Sequence, residues 1–244
     1  MNKTIYVILS FAVLLMLPPI ILFITGWRWV PSEDVQSIKW LFWLTETAGL
    51  PYSIITSVVL LGITLYVCRP KTKIIVKWVA VIICCILAGQ GLKGLVKNSV
   101  KESRPYVMWL EKEYGIANSD FYELKRKQRV ELIKNMVKHS DQVPSWQRKH
   151  WQAETGYSFP SGHVLFAAGW ALLLIGLFWQ RQKYTLAIIM AVWSECIVFS
   201  RMLLGMHWPA DVIVSIIISA ILAIAACGLL QNKVHITNKV SLRR

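Results

Sequence analysis

Six stretches of the chain are almost wholly apolar: Ile5–Gly26, Pro51–Val67, Ile74–Leu92, Val164–Trp179, Tyr184–Phe199 and Val212–Leu230. Each approaches the ~20 apolar residues with which an α-helix crosses hydrocarbon. The fourth and fifth are short and need flanking residues to span. Pro18 and Pro19 fall inside the first run and predict a kink there, with neighbouring helices satisfying the freed carbonyls. Lys3 precedes that run as in a signal peptide, but the run is too long and no small-residue cleavage site follows. Val35–Leu50 is expected to lie in the membrane interface, where Trp27, Trp29, Trp40 and Trp43 fit an aromatic belt.

Between the third and fourth runs lies a long polar stretch. Within it Leu124, Val130, Ile133 and Val137 recur near helical spacing, so Phe121–His139 predicts one or two short amphipathic helices. The expected fold is all-α: a polytopic membrane protein of six transmembrane helices with a small helical cap. Residues 1–96 hold helices one to three, residues 97–162 the cap, and residues 163–244 helices four to six and a tail.

Composition agrees. Of 244 residues, 55% are hydrophobic and 16% charged, and the mean hydropathy is +0.49. Soluble domains carry roughly a quarter charged residues, so disordered, coiled-coil and ordinary cytosolic classes are excluded. Lys and Arg number 27 against 13 Asp and Glu, a net charge of +14. In so apolar a chain this excess points to a membrane surface or an anionic lipid rather than nucleic acid. The five cysteines, Cys68, Cys84, Cys85, Cys196 and Cys227, lie in or beside apolar runs and build neither a disulfide framework nor a metal motif. They read as small buried hydrophobes.

Charge also sets orientation. Arg69, Lys71, Lys73 and Lys77 flank one short link, Arg181 and Lys183 lie in another, and Lys233, Lys239, Arg243 and Arg244 follow the last run. The positive-inside rule places these, and both termini, in the cytoplasm. The polar stretch then faces the opposite side.

Three clusters put ionisable groups at membrane depth, where they are costly and mark function by default. Lys93 and Lys97 continue the third run one turn apart, and Arg104 follows seven residues later. A continuous helix would place all three on one face, ending near Arg104 because Pro105 follows. They are either snorkelling cations or a phosphate clamp. Phe159-Pro160-Ser161-Gly162-His163 opens the fourth run. It is either a plain helix cap or an anion cradle of N–H groups, in which Gly162 allows close approach. Ser200-Arg201 and then His207-Trp208-Pro209-Ala210-Asp211 open the sixth run. Asp211 either caps that helix or, one turn from His207, holds its Nδ1 proton and leaves Nε2 a free lone pair. The orientation decides between these readings: Lys97, Arg104, His163, Arg201 and His207 all fall at one non-cytoplasmic face. Three cations, two histidines, a carboxylate and a helix N-terminus in one layer suit phosphoryl transfer.

Lys97-x6-Arg104-Pro105, Pro160-Ser161-Gly162-His163 and Ser200-Arg201-x5-His207-x3-Asp211 together resemble the three-part signature of the type-2 phosphatidic acid phosphatase superfamily, which vanadium haloperoxidases share. The likeness to bacterial members acting on phosphatidylglycerophosphate runs along nearly the whole chain. It takes in GWRW after the first run, LTET at Leu44–Thr47, RPYVMWLEK at Arg104–Lys112, FYELKR at Phe121–Arg126 and HWQAETGYSFPSGH ending at His163. The resemblance implies a six-helix phosphatase of the bacterial inner membrane with its site at the periplasmic face, working without metal or cofactor. The substrates it implies are phosphatidylglycerophosphate, undecaprenyl pyrophosphate, phosphatidate, lysophosphatidate and diacylglycerol pyrophosphate. By motif position it implies His207 as nucleophile and Asp211 as its orienting acid, with His163 as acid then base. Lys97, Arg104 and Arg201 would bind phosphate oxygens, with Ser161 and the Gly162 and His163 amides completing the cradle.

Three residues lie outside the signature. Lys93 reads as a second phosphate or headgroup contact, or a snorkelling cation. Glu154 reads as steering His207 or meeting a lipid amine. Glu195, inside the fifth run, reads as a structural partner for a nearby cation such as Arg201. The competing functions are an anion or lipid transporter and a non-catalytic lipid-binding relic. No repeat is visible for the first, and no signature residue is missing for the second. A soluble haloperoxidase conflicts with six apolar runs.

Overall fold

The computed structural model describes residues 2–231 except 33, 139 and 141, and among these it contains helices and no strands. The basic tail, Lys233 to Arg244, lies outside the described residues. The six apolar runs become α1 (Asn2–Ile24), α3 (Tyr52–Cys68), α4 (Ile75–Val100), α9 (Gly162–Trp179), α10 (Tyr184–Leu203) and α11 (Pro209–Gln231), with the short α2 (Lys39–Glu46) after α1. The polar stretch holds α5 (Pro105–Tyr114), α6 (Asn118–Glu123), α7 (Arg126–Met136) and α8 (Ser145–Ala153). Five helices are long and apolar enough to cross a membrane, and α3 is a shorter apolar helix of 17 residues.

α9 is the axis of the bundle. It is apolar on every side, as a helix buried all round must be, and packs against α1, α3, α4, α10 and α11. Small residues bring its neighbours close. A Cβ on Gly176 would stand 2.8 Å from Ile8 Cδ1 and 3.0 Å from Cys227 Sγ. Ser215 and Ser219 zip α11 to α9: the Ser161 N–H donates to Ser215 Oγ at 3.0 Å, and Ser219 Oγ donates to the Leu165 carbonyl at 3.3 Å. The outer faces of α1, α3, α4, α10 and α11 expose large apolar side chains, among them Ile21, Val58, Leu87, Ile189 and Ile221. So continuous an apolar surface belongs in lipid. Gln231 donates to Thr4 at 3.5 Å and Lys77 to the Leu229 carbonyl at 2.5 Å, so the start of α1, the start of α4 and the end of α11 share one end of the bundle.

At the other end the polar stretch builds its own core around Trp151. Tyr106 stacks on that indole at 4.8 Å, and Trp29 and Trp109 meet it at 5.8 and 5.9 Å.

Several expectations change. The helix expected over 35–50 is confined to Lys39–Glu46. Trp29 is buried in the core around Trp151 and donates to the Leu203 carbonyl at 2.8 Å, whereas Trp40 and Trp43 are exposed as a belt requires. The 121–139 stretch forms two helices, with α5 and α8 in addition. Of the cysteines, Cys84 is exposed and Cys196 half-buried, because both lie towards the outer faces of α4 and α10.

Candidate active site

The third cluster is shaped by the turn between α10 and α11. Gly205 adopts φ +72°, and a Cβ there would stand 2.7–2.8 Å from the Trp29 ring, so both backbone and space demand glycine. The reversed chain lets the Met206 and His207 N–H groups both donate to the Arg201 carbonyl, at 3.1 and 3.0 Å. Five intervening residues are what this turn needs to bring His207 back beside Arg201. Pro209 then opens α11, and Asp211 sits in its first turn.

Asp211 does both things the spacing allowed. Its Oδ2 accepts from the Trp208 N–H at 2.9 Å, capping α11, and faces His207 Nδ1 at 3.3 Å. Ser158 donates to the same oxygen. His207 Nε2 faces Arg104 Nη1 at 3.4 Å. A guanidinium only donates, so this imidazole accepts on Nε2 and carries its proton on Nδ1, towards Asp211. Burial, and then the charges of Arg104 and Arg201, hold the His207 pKa well below the ordinary histidine value. The ring is therefore neutral at pH 7.

Arg104 does not share a helix face with Lys93 and Lys97. Lys101 takes a left-handed conformation (φ 51°) and closes α4 at Val100, and Arg104 is extended because Pro105 follows it. The guanidinium arrives by a loop and is fixed on three sides: Nε donates to the Gly156 carbonyl at 2.7 Å, Nη1 to the Met206 carbonyl at 2.9 Å, and Nη2 to Glu154 at 3.3 Å. The first cluster is thus tied to the third, and to Glu154 and Gly156 just ahead of the second.

Glu154 is the hub. Its carboxylate accepts from Arg201 Nη2 at 2.8 and 2.9 Å, pairs with Arg104, and faces His163 Nδ1 at 3.7 Å. Burial alone would raise its pKa. Arg201, His163, Arg104 and His150 together hold it well below the ordinary carboxylate value. Two residues that the sequence reading did not single out join this network: His150, with Nε2 at 3.0 Å from Arg201 Nη1, and Glu46, at 3.5 Å from His150 Nδ1. Their only sequence signal was their place in the HWQAETG and LTET segments.

Lys93, Lys97, Arg104, Glu154, Gly162, His163 and His207 line one cavity of about 880 Å³. From this polar end it continues between α3 and α4 past Ile54, Val58, Leu61, Ile83 and Leu87. Lys93 Nζ donates to Gln90 at 2.9 Å and fits against Gly162, where a Cβ would come within 2.7 Å of its Cδ. Among the described residues no acid pairs with Lys93 or Lys97. Arg201 and Asp211 lie fully buried behind the cavity wall. So does Ser161, whose hydroxyl caps α9 by accepting the Val164 N–H at 3.4 Å.

Glu195 does not pair with Arg201. Both of its carboxylate oxygens lack a hydrogen-bond partner among the described residues. Six residues on one helix put the two side chains on different faces, and Arg201 takes Glu154 instead. No group of three or more His, Cys, Asp or Glu among the described residues is placed to hold a metal ion.

Residues 78–234, which carry all three clusters, match the PAP2 superfamily. The chain is 43% identical over 221 residues to the phosphatidylglycerophosphatase B of Escherichia coli K12, covering 91% of this chain and 87% of that protein. It is 32% identical over 230 residues to the Haemophilus influenzae phosphatidylglycerophosphatase B, covering 91% and 95%. A shorter match, 42% over 59 residues and about a quarter of each chain, links it to an undecaprenyl-diphosphatase of Sulfolobus acidocaldarius. The chain belongs to the PAP2 superfamily, in the phosphatidylglycerophosphatase B family of phosphatases.

Proposed function

We propose that this phosphatase hydrolyses phosphatidylglycerophosphate to phosphatidylglycerol at the periplasmic face of a bacterial inner membrane, through a phosphohistidine on His207. Undecaprenyl pyrophosphate, phosphatidate, lysophosphatidate and diacylglycerol pyrophosphate are its further substrates. All six apolar helices span, both termini are cytoplasmic, and α5 to α8 form a periplasmic cap.

The observation that carries the reading is the neutral His207 imidazole, with its Nδ1 proton on Asp211 and its Nε2 lone pair turned to Arg104, at the cationic end of an otherwise apolar cavity. Lipid tails fit the wall between α3 and α4, and the phosphate meets Lys97 and Arg104, with Lys93 free for a second phosphate or headgroup. Nε2 attacks phosphorus, the bond to the lipid oxygen breaks, and His163 gives that oxygen a proton. In the second step His163 takes a proton from water, which attacks phosphorus and breaks the P–N bond. Phosphate leaves and His207 is restored. Lys97 and Arg104 bind the non-bridging oxygens, and the charge of Arg201, buried behind the cavity wall, stabilises them from further back. The Gly162 and His163 amides at the start of α9 add to the cradle, and Ser161 shapes the turn that presents them. Glu154 holds the two arginines in register.

The test is phosphate release by the purified protein in detergent with EDTA, from phosphatidylglycerophosphate and undecaprenyl pyrophosphate side by side. Metal-independent release that vanishes in His207→Ala is expected. No release from any lipid phosphate by a folded sample would turn the reading towards transport or lipid binding.

A further inference from the structure

His150 has no part in the mechanism above, yet it is buried to 3% exposure directly behind Arg201, whose charge supports the proposed phosphate site. Its Nε2 stands 3.0 Å from Arg201 Nη1. Because a guanidinium has no lone pair to offer, Nε2 must accept, and the ring must carry its single proton on Nδ1. That nitrogen faces Glu46 at 3.5 Å, an acceptor. The ring is clamped from the side as well, with Phe42 edge-on at 5.3 Å. Glu46 and Phe42 both belong to α2, the helix whose Trp40 and Trp43 are exposed.

The charged and titratable groups facing His150 are Glu46 from α2, Glu154 from the end of α8, Arg201 from α10 and His163 from α9. Two of these are acids, which would favour an imidazolium. Burial outweighs them and lowers the His150 pKa below the ordinary histidine value, with Arg201 adding to the effect. Glu154 takes both bonds of Arg201 Nη2, and His150 supplies the partner to Nη1. Without His150 the guanidinium could pivot about Glu154.

We propose that His150 is a positioning residue for phosphate binding: held as the Nδ1–H tautomer by Glu46, it fixes the Arg201 guanidinium and links the phosphate cradle to the interfacial helix α2. This rests on the phosphatase reading. Protonation of His150 would replace an acceptor with a donor facing Arg201, so the cradle would loosen in acid.

The experiment compares wild type, His150→Ala, His150→Gln and Glu46→Ala in detergent, by steady-state kinetics on phosphatidylglycerophosphate, vanadate inhibition and thermal unfolding. Glutamine puts an unprotonatable acceptor oxygen near the Nε2 position. His150→Ala is expected to raise KM and the vanadate inhibition constant about tenfold, and Glu46→Ala to raise both in the same direction by less. His150→Gln is expected to restore both constants and to make the acid limb of kcat/KM less steep. A folded His150→Ala protein with wild-type KM and vanadate inhibition would overturn the proposal. So would a glutamine variant no better than alanine. Should alanine fail to fold, the glutamine acid limb and the partly exposed Glu46→Ala decide the matter. An inactive wild type would instead reject the phosphatase reading itself.

Discussion

His207 and Glu154 are the residues on which the proposed chemistry and the stability of the site converge. Replacing His207 by alanine is expected to lower kcat/KM by about 10⁴-fold or more, and acid-labile phosphate should no longer appear on the protein. A phosphohistidine trapped in that variant would refute the assignment. Glu154→Ala leaves two buried guanidiniums without their shared counter-charge. Breaking such a pair costs about 3 kcal/mol, so a marked fall in Tm is expected along with the loss of activity. An unchanged Tm would mean that the arginines find other partners. pH acts on the same groups with a definite sign. His207 and His150 titrate lower in the folded protein than the ~6.5 of the unfolded chain. Above that value both states are neutral there and stability is full. As pH falls below it, the unfolded chain takes up protons first and stability drops. Glu154, depressed below the ordinary carboxylate value, adds stability above ~4.3 that is lost at lower pH still. Thermal unfolding from pH 8 to 4 should therefore show a plateau and then a decline beginning near 6.5. A Tm that rose on acidification would contradict the buried neutral histidines.

The turn from α10 into α11 and the wall between α3 and α4 carry predictions of their own. Gly205→Ala puts a methyl into the Trp29 indole at a backbone angle that alanine adopts poorly. A loss of about 2 kcal/mol or more is expected, with activity falling further because His207 and Arg201 are set by that turn. A variant of wild-type Tm would show that Trp29 gives way. Val58 lines the apolar part of the cavity on α3. Val58→Trp should raise KM for a long-chain lipid phosphate several-fold while leaving hydrolysis of a short soluble phosphate ester nearly unchanged. Equal effects on both would mean that tails do not lie there.

The whole molecule is a polarised object, with the candidate site at one end of the bundle and basic links at the other. The positive-inside rule assigns those links to the cytoplasm. A cysteine at Lys112 in the cap should react with a membrane-impermeant thiol reagent added outside intact spheroplasts, and one at Lys183 only after lysis. The reverse pattern would invert the orientation and with it the periplasmic site.

What the sequence by itself determined is the material and the candidate residues. A chain this size can hide one such apolar run inside the others, as it does α9, and the remainder need lipid, so the helices follow from their lengths. The signature residues followed from their order and spacing, because local turns such as Arg201 to His207 depend on few residues. The tertiary structure alone decided how the pieces meet. Arg104 reaches His207 by a loop and not along the face of α4, since Lys101 ends that helix early. Glu195, close to Arg201 in sequence, is turned away from it, while Glu154 and His150, about fifty residues distant, hold it. Glu46, whose segment shows no catalytic pattern, stands behind the cradle. Ion pairs form where packing brings charges within a few ångströms, and periodicity along one chain cannot report a distance between elements that fold together only in space.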